Sequence, residues 1–318
     1  MTAAQTPAPA AAPTTRELLT RPDRRRRTTD RVMRVVVAGA FALAMVPLVS
    51  LVWIVVAEGH ERLSPYFLTV SMRGVYGGMD AGGIYHASLG TLLVTGAAAA
   101  ISVPLGLLAA VYLVEYGRGP LARAVTFFVD VMTGIPSIVA GLFAYALFAL
   151  FLGPGVRMGV VGAVALSVLM VPVVVRSTEE MLRLVPDELR EASLALGVPK
   201  WRTVVKVVLR TSAAGIVTGV MLAIARVIGE TAPLLITLGV VDSINTNLVD
   251  GRMMTLPVYI YRQYSQGLVP CAEGQPDCVP TINLDRAWAA ALVLVLIVLL
   301  LNLLARYVAR RFAPATGR

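Results

Sequence analysis

Two charged side chains stand within one of the most apolar stretches of the chain. Arg226 and Glu230 are four residues apart in the run 207–238, and this spacing predicts one shared face of a helix. A charge exposed to lipid is unfavourable, so both side chains are expected to face protein or water. One interpretation is a translocation path on which the Arg226 guanidinium attracts an oxyanion, while Glu230 holds Arg226 in place or repels the anion onward. The alternative is a buried salt bridge that joins helices without touching substrate.

Cys271 and Cys278 are separated by six residues in a segment that contains prolines. If that segment lies outside the cell, oxidation is possible, and a disulfide is predicted there against the alternative of two free thiols. Two cysteines and two histidines are too few for a metal cluster. No catalytic residues, resident metal or bound cofactor are therefore expected in this chain.

A capped polar helix is predicted between the fourth and fifth apolar segments. Pro186-Asp187-Glu188 is typical of a helix start, and Gly197-Val198-Pro199 is typical of a helix end, because glycine accepts the left-handed conformation and proline cannot continue the helix. A shorter loop would suffice to join two helices. The helix is therefore interpreted as a docking element for a soluble partner, with an interfacial helix resting on lipid headgroups as the alternative.

The composition predicts an all-α polytopic membrane protein. The chain is 57% hydrophobic with only 15% charged residues, and its mean hydropathy is +0.75. The net charge of +9 is no sign of a nucleic-acid partner, because most Lys and Arg residues fall in segments that would all lie on one side of a membrane. By the positive-inside rule that side is the cytoplasm, which predicts that both termini are cytoplasmic.

The apolar segments and the charges between them predict six spans in residues 32–309. A disordered basic tail at 1–31 precedes the spans and a cytoplasmic tail at 310–318 follows them. Span three is expected to break at Thr133-Gly-Ile-Pro-Ser137, and His86 is expected to be solvated or capping at an outer helix end. The predicted spans are 32–57, 86–114, 124–152, 158–175, 207–238 and 287–308, with an inner coupling loop at 176–206 and an outer loop at 241–286.

Small residues recur along the second span, at Gly90, Gly96, Ala100 and Gly106, and predict close helix packing. Methionine and tyrosine side chains in the outer loop are expected to form an interfacial belt at the membrane surface. These are Met253, Met254, Tyr259, Tyr261 and Tyr264.

The segment after Glu191 resembles the EAA motif of bacterial binding-protein-dependent ABC importer permeases. Glu191-Ala192-Ser193 is followed by three residues, Gly197, nine residues and Val207-x-Leu209. The family pattern ends in Leu-Pro, whereas Arg210 occupies the proline position here. The resemblance implies a MetI-like permease domain that contacts an ATPase through Glu191, Ala192, Ser193, Gly197, Lys200 and Trp201.

Four further segments resemble the phosphate permeases of that family, the PstA proteins. The resemblance implies a half-transporter in the bacterial inner membrane that pairs with a PstC-like permease on a PstB-like ATPase dimer and receives phosphate from a PstS-like binding protein. ATP and Mg would be used by the separate ATPase chain, since no Walker A sequence occurs here. The segments are 82–84, 134–143, 225–235 and 254–257.

Two other functions stay open at this point. The cargo could be another oxyanion, such as sulfate or molybdate, because selectivity in such systems is expected to reside largely in the binding protein. An ion-coupled secondary transporter or channel would use Arg226 and Glu230 as relay groups, but it leaves the helix from Glu191 to Gly197 unexplained.

Overall fold

The computed structural model describes residues 24–272 and 278–312. Within those ranges the regular structure is helical and includes no strand, only an isolated bridge between Met79 and Cys278. The all-α prediction is confirmed. The helices are α1 (Arg24–Gly59), α2 (Pro65–Thr69), α3 (Tyr85–Val111, continued by a π-helical turn, Tyr112–Tyr116), α4 (Pro120–Thr133), α5 (Ser137–Leu152), α6 (Gly159–Arg183), α7 (Asp187–Ala195), α8 (Lys200–Val227, with a π-helical turn at Val204–Val208), α9 (Ala232–Thr237), α10 (Leu256–Gln266) and α11 (Ile282–Phe312).

The chain divides into a unit of residues 1–54 and a unit of residues 55–318. In the first unit, the described residues are helical from Arg24, so the predicted disordered tail is wrong for 24–31, and its part at 1–23 lies outside the described residues. Arginine is a good helix former, and a helix already begun by an apolar span extends at little cost. At the other terminus residues 310–312 continue α11, whereas 313–318 lie outside the described residues.

Five of the described helices are long and apolar enough to cross a membrane, namely α1, α3, α6, α8 and α11. The pair α4 and α5 passes the same test only jointly, and its two helices are bent by 111° at their junction. The break falls at the predicted sequence, because Pro136 lacks the backbone N–H that a continuous helix needs. Up to six spans are thus present, the sixth being this bent pair.

Several helix boundaries differ from the limits of the predicted spans. Helix α6 does not end at Val175 but continues to Arg183, and α8 begins at Lys200 rather than Val207. Helix α8 ends at Val227. Gly229 is unfavourable within a helix, and Pro233 has no backbone N–H to donate to the carbonyl of the residue four positions before it. The predicted outer loop 241–286 contains all of α10 and the first turn of α11.

The core of the second unit lies between α3 and α6, which approach each other closely. A Cβ added to Gly106 would lie 2.7 Å from Val174 Cγ1. Farther along the same pair, Ser167 Oγ donates to Ala163 O (2.8 Å) and to Ala98 O (3.4 Å). Small residues at such contacts let helix backbones pack directly, which maximises van der Waals contact in a lipid environment.

The segment that leads into α10 folds back against the start of α3. Leu256 N donates to Thr91 Oγ1 at 2.8 Å, and a Cβ on Gly90 would lie 2.0 Å from Met254 O. The expected interfacial belt is therefore wrong in part, because Met253, Met254 and Tyr259 are buried, while Tyr261 and Tyr264 are exposed. The expected solvated His86 is also wrong: its ring is buried edge-on to Tyr259, with centroids 5.8 Å apart.

Candidate functional site

Helix α7 is a short polar helix with a defined start and end. Pro186 precedes it, and Asp187 and Glu188 lie in its first turn. Their negative charges interact favourably with the positive end of the helix dipole. At the other end Gly197 has φ +76°. Gly197 N donates to Leu194 O (2.9 Å) and Val198 N to Ser193 O (3.3 Å), which is the Schellman pattern. The short capped helix predicted here is present.

Arg190 fastens α7 to the end of α3. Its Nε donates to Glu115 Oε1 at 3.0 Å, and its two Nη atoms donate to Leu182 O (2.9 Å), Val185 O (2.6 Å) and Asp187 Oδ1 (2.9 Å). The side chains are largely buried, with 6% of Glu115 and 17% of Arg190 exposed. Sequence reasoning missed both residues, since no local signal links positions 75 residues apart.

Two further contacts hold α7 in place. Ser193 Oγ lies 2.8 Å from Thr203 Oγ1 in α8. Lys200 Nζ donates to Glu115 O and lies 5.0 Å from the centre of the Tyr116 ring. Helix α7 is therefore braced against both α3 and α8, and not suspended between two spans as a free loop.

The other side of α7 is exposed and partly apolar. Of the predicted coupling residues, Glu191, Ala192, Gly197, Lys200 and Trp201 are exposed and Ser193 is half-buried. Leucines stand between them, and Leu196 is 83% exposed. We call the exposed residues Leu189, Leu194, Leu196 and Trp201 the α7 surface. Apolar side chains displayed on a braced polar helix are typical of a protein interaction site.

A series of ion pairs joins α4 to α6. Arg176 donates to Asp130 in α4 and to Glu179 Oε2 at 2.7 Å, and Arg183 donates to Glu179 Oε1 at 2.6 Å. Glu179 is buried, whereas its partner Arg183 is 68% exposed and Asp130 is 60% exposed.

Arg226 and Glu230 do not form the helical pair that their spacing predicted. Helix α8 ends at Val227, and Glu230 lies in the non-helical stretch before α9. Neither side chain forms an ion pair or a hydrogen bond with any residue in 24–272 or 278–312. Arg226 is exposed and Glu230 half-buried, so this chain leaves the Arg226 charge without a described counter-charge.

Cys271 and Cys278 are joined in a disulfide. The bond packs directly on the turn at Gly78, where an added Cβ would lie 2.2 Å from Cys278 Sγ. Val279 N donates to Gly78 O at 2.8 Å. Within the described ranges, no group of three or more His, Cys, Asp or Glu side chains is placed to hold a metal ion.

Comparisons with known proteins agree on one family. Residues 102–318 match the model of the binding-protein-dependent transport system inner membrane component. "Phosphate transport system permease protein PstA 1" of Mycobacterium tuberculosis (strain ATCC 25618 / H37Rv) is 47% identical over 291 residues, covering 90% of each chain. The Mycobacterium leprae PstA is 47% identical over 280 residues, covering 88% of each chain.

Solved structures share the fold at low sequence identity. A chain of the MetNI methionine ABC transporter, in an inward-facing conformation, aligns with a TM-score of 0.54 at 19% identity, covering 79% of this chain and all of its own. A chain of a bacterial alginate ABC transporter in complex with a periplasmic protein reaches 0.62 at 14% identity, covering 92% and 98%. The chain therefore belongs to the family of binding-protein-dependent transport system inner membrane components, on the branch that contains the PstA permeases.

Proposed function

We propose that this chain is the permease subunit of an ATP-driven importer of inorganic phosphate and forms half of its translocation path. The observation that carries the proposal is the combination of relatives named as phosphate permeases along nine-tenths of the chain with the braced α7 and its exposed surface. The first suggests the cargo, and the second supplies a place where a separate ATPase can act. The relatives favour phosphate over sulfate or molybdate.

The α7 surface is proposed to bind the ATPase from the cytoplasmic side. Leu194, Leu196 and Trp201 would be buried in that contact, while Glu191 and Lys200 would flank it. The ion pair between Arg190 and Glu115 would pass a movement of the ATPase to α3, and the bond between Ser193 and Thr203 would pass it to α8. The proposed partners are a PstB-like ATPase dimer, a PstC-like second permease and a PstS-like binding protein outside the cell, with both termini of this chain inside.

Arg226 is proposed to attract the anion on the path. A guanidinium that stays charged and lacks a described counter-charge is suited to a phosphate passing through a low-dielectric space. Glu230 lies after the helix end, three residues beyond Val227. Its proposed role is to limit how long the anion stays near Arg226, since it adds a negative charge next to the site.

Reconstituted transport tests the proposal. The full complex is placed in vesicles, and phosphate uptake is measured with and without ATP and with and without the binding protein. Uptake should require both, and uptake that continues without ATP would overturn the proposal in favour of a secondary transporter.

A matched pair of substitutions tests the docking role. Leu196→Glu should remove the ATPase from the purified complex, because it places a charge within the α7 surface. Val249→Glu changes another exposed apolar residue, on the loop between α9 and α10, and should leave the ATPase bound. Retention of the ATPase by Leu196→Glu would contradict the proposed docking surface.

A further inference from the structure

A polar cavity of about 420 Å³ lies beside α10, and none of its lining residues belongs to α7. It is bounded by α10, by the first turn of α11 and by the segments 72–77 and 268–270. Polar side chains form much of its lining. We call it the α10 cavity and define it by Asp242, Arg262, Gln263, Gln266, Asn283 and Arg286.

Arg286 brings a buried positive charge to this cavity. Its side chain is 1% exposed. It donates to Met79 O (2.6 Å), Ala81 O (2.7 Å) and Asn283 Oδ1 (3.5 Å). All of these acceptors are uncharged. A buried charge is costly unless an opposite charge offsets it, and no carboxylate among the described residues forms an ion pair with Arg286.

Gln263 supplies a buried group without a partner. The residue is 3% exposed, and its carboxamide forms no hydrogen bond with any described residue. Its Oε1 is enclosed and unpaired. A buried amide without partners is unfavourable in an empty site. Because Oε1 is an acceptor, it becomes favourable when a ligand supplies a donor, such as a protonated oxygen of an oxyanion.

The remaining charges leave the cavity with an excess of one positive charge. Arg262 Nη1 donates to Asp242 Oδ1 at 2.6 Å, so these two charges offset each other. Arg286 is then the lining arginine without an ion pair, with Asp80 and Asp285 acting on it only at longer range. The donors of Arg262, Gln263, Asn283 and Arg286 surround a space large enough for a small anion, and Asp242 can accept a hydrogen bond from a protonated oxygen of that anion.

We propose that the α10 cavity binds an oxyanion of the phosphate class before that anion enters the translocation path. The identity of the oxyanion rests on the proposed function, whereas the site itself rests on Arg286 and Gln263. The proposed orientation places the cavity outside the membrane, on the side of the binding protein. The same phosphate chemistry is present in inorganic phosphate and in a lipid headgroup, and we assign the site to the free anion.

Hydrogen exchange tests the site and is measured in the full membrane complex, from which the binding protein is left out. Inorganic phosphate should slow amide exchange in α10 and in residues 79–81, because the ligand would bridge them through Arg262 and Arg286. The measurement is made in nanodiscs of phosphatidylcholine alone and with added phosphatidylglycerol. Protection by phosphatidylglycerol with none by inorganic phosphate would overturn the assignment to the free anion.

Two variants locate the binding. Asp242→Asn/Arg262→Gln removes one charge of each sign, so the net charge of the cavity is kept while a guanidinium is lost. It should weaken phosphate binding about 10- to 100-fold, the range expected for a charged hydrogen bond. Gln263→Met keeps the length of the side chain and should weaken it about 5-fold. The control Arg252→Gln removes an exposed arginine outside the cavity and should change nothing.

The outcomes separate the site from the proposed function. Unchanged phosphate binding in both cavity variants would overturn the site. Absence of phosphate protection in a complex that still imports phosphate would overturn the site and leave the proposed function standing. Protection by sulfate in place of phosphate would support an oxyanion site and overturn the proposed cargo.

Discussion

Arg190 in α7 and Glu115 at the end of α3 form an ion pair of 3.0 Å across 75 residues of sequence. Arg190 also satisfies two backbone carbonyls at the end of α6 and the turn after it, Leu182 O and Val185 O. One guanidinium therefore joins the ends of two spans to the proposed ATPase-docking helix. A force applied to α7 would reach α3 and α6 through this side chain.

Substitution of Arg190 by Gln should uncouple α7 from the spans. Removal of one partner from a largely buried ion pair costs about 3–5 kcal/mol, and the two carbonyls lose a donor as well. ATP-driven uptake should fall at least tenfold and amide exchange in α7 should rise. Arg183→Gln is the control, because Arg183 is 68% exposed in its pair with Glu179 and Glu179 keeps its second ion pair with Arg176. Equal loss in the two variants would contradict the coupling role.

Gly197→Ala should loosen the end of α7 by about 1–2 kcal/mol. The cost is a backbone cost, because Gly197 has φ +76° and no atom lies within 4 Å of an added Cβ. Asn tolerates this conformation better than Ala, so Gly197→Asn should lose less. Amide exchange of Leu196 to Val198 measures the effect, and a Gly197→Asn variant as mobile as Gly197→Ala would contradict the explanation.

Arg226→Ala should strongly reduce phosphate uptake without loss of assembly. Arg226 is exposed and unpaired within the described ranges, so its removal leaves no buried group unsatisfied and folding should change little. Uptake should fall at least tenfold while the ATPase and the second permease still co-purify. Arg210→Ala is the matched control, an exposed arginine of the same helix that forms no ion pair with the residues the structure describes. An intact complex of Arg226→Ala with normal uptake would exclude a role in transport.

The sequence predicts those features of the fold that are encoded locally. Thr133-Gly-Ile-Pro-Ser137 predicts the break between α4 and α5, and Pro186 and Gly197 predict the limits of α7, since each acts through its own backbone conformation. The predicted pairing of Arg226 with Glu230 is wrong because the local sequence ends the helix between these two residues. A spacing of four residues implies contact only while the helix continues, and Gly229 and Pro233 end it.

Features that depend on tertiary contacts could not be predicted. Arg190 finds Glu115 only after two spans have packed, and the α10 cavity gathers residues from α10, α11 and the loops. The prediction that the small residues of α3 allow close helix packing holds at only some of the positions. Gly90 and Gly106 lie against neighbours, whereas Gly96 has no atom within 4 Å of an added Cβ and Ala100 is exposed, because residue type alone does not tell which side of the helix meets a partner.

Gly78→Ala should destabilise the disulfide loop. Its Cβ would lie 2.2 Å from Cys278 Sγ, so either the turn or the disulfide must move. Removal of both sulfurs in Cys271→Ala/Cys278→Ala should itself cost about 2–3 kcal/mol by the chain-entropy model, and Gly78→Ala should cost much less in that background. Thermal unfolding of the four combinations gives the coupling, and additive effects would contradict the contact.

Gly90→Ala and Gly96→Ala separate close helix approach from helix propensity. The two glycines lie six residues apart in α3. An added methyl group at Gly90 would lie 2.0 Å from Met254 O, a backbone atom that cannot rotate away, whereas Gly96 has open space. Overpacking costs about 1–3 kcal/mol or more. Alanine in an open helical position gains up to about 1 kcal/mol over glycine.

The two substitutions should therefore shift the thermal unfolding temperature of the purified complex in opposite directions, with Gly90→Ala lower and Gly96→Ala equal or higher. Gly90→Ala should also raise amide exchange in α10, because Leu256 N loses its bond to Thr91 Oγ1 when the segment moves away. The same loss in Gly96→Ala would mean that α3 meets a partner subunit at Gly96, and a neutral Gly90→Ala would contradict the close approach of Met254 to α3.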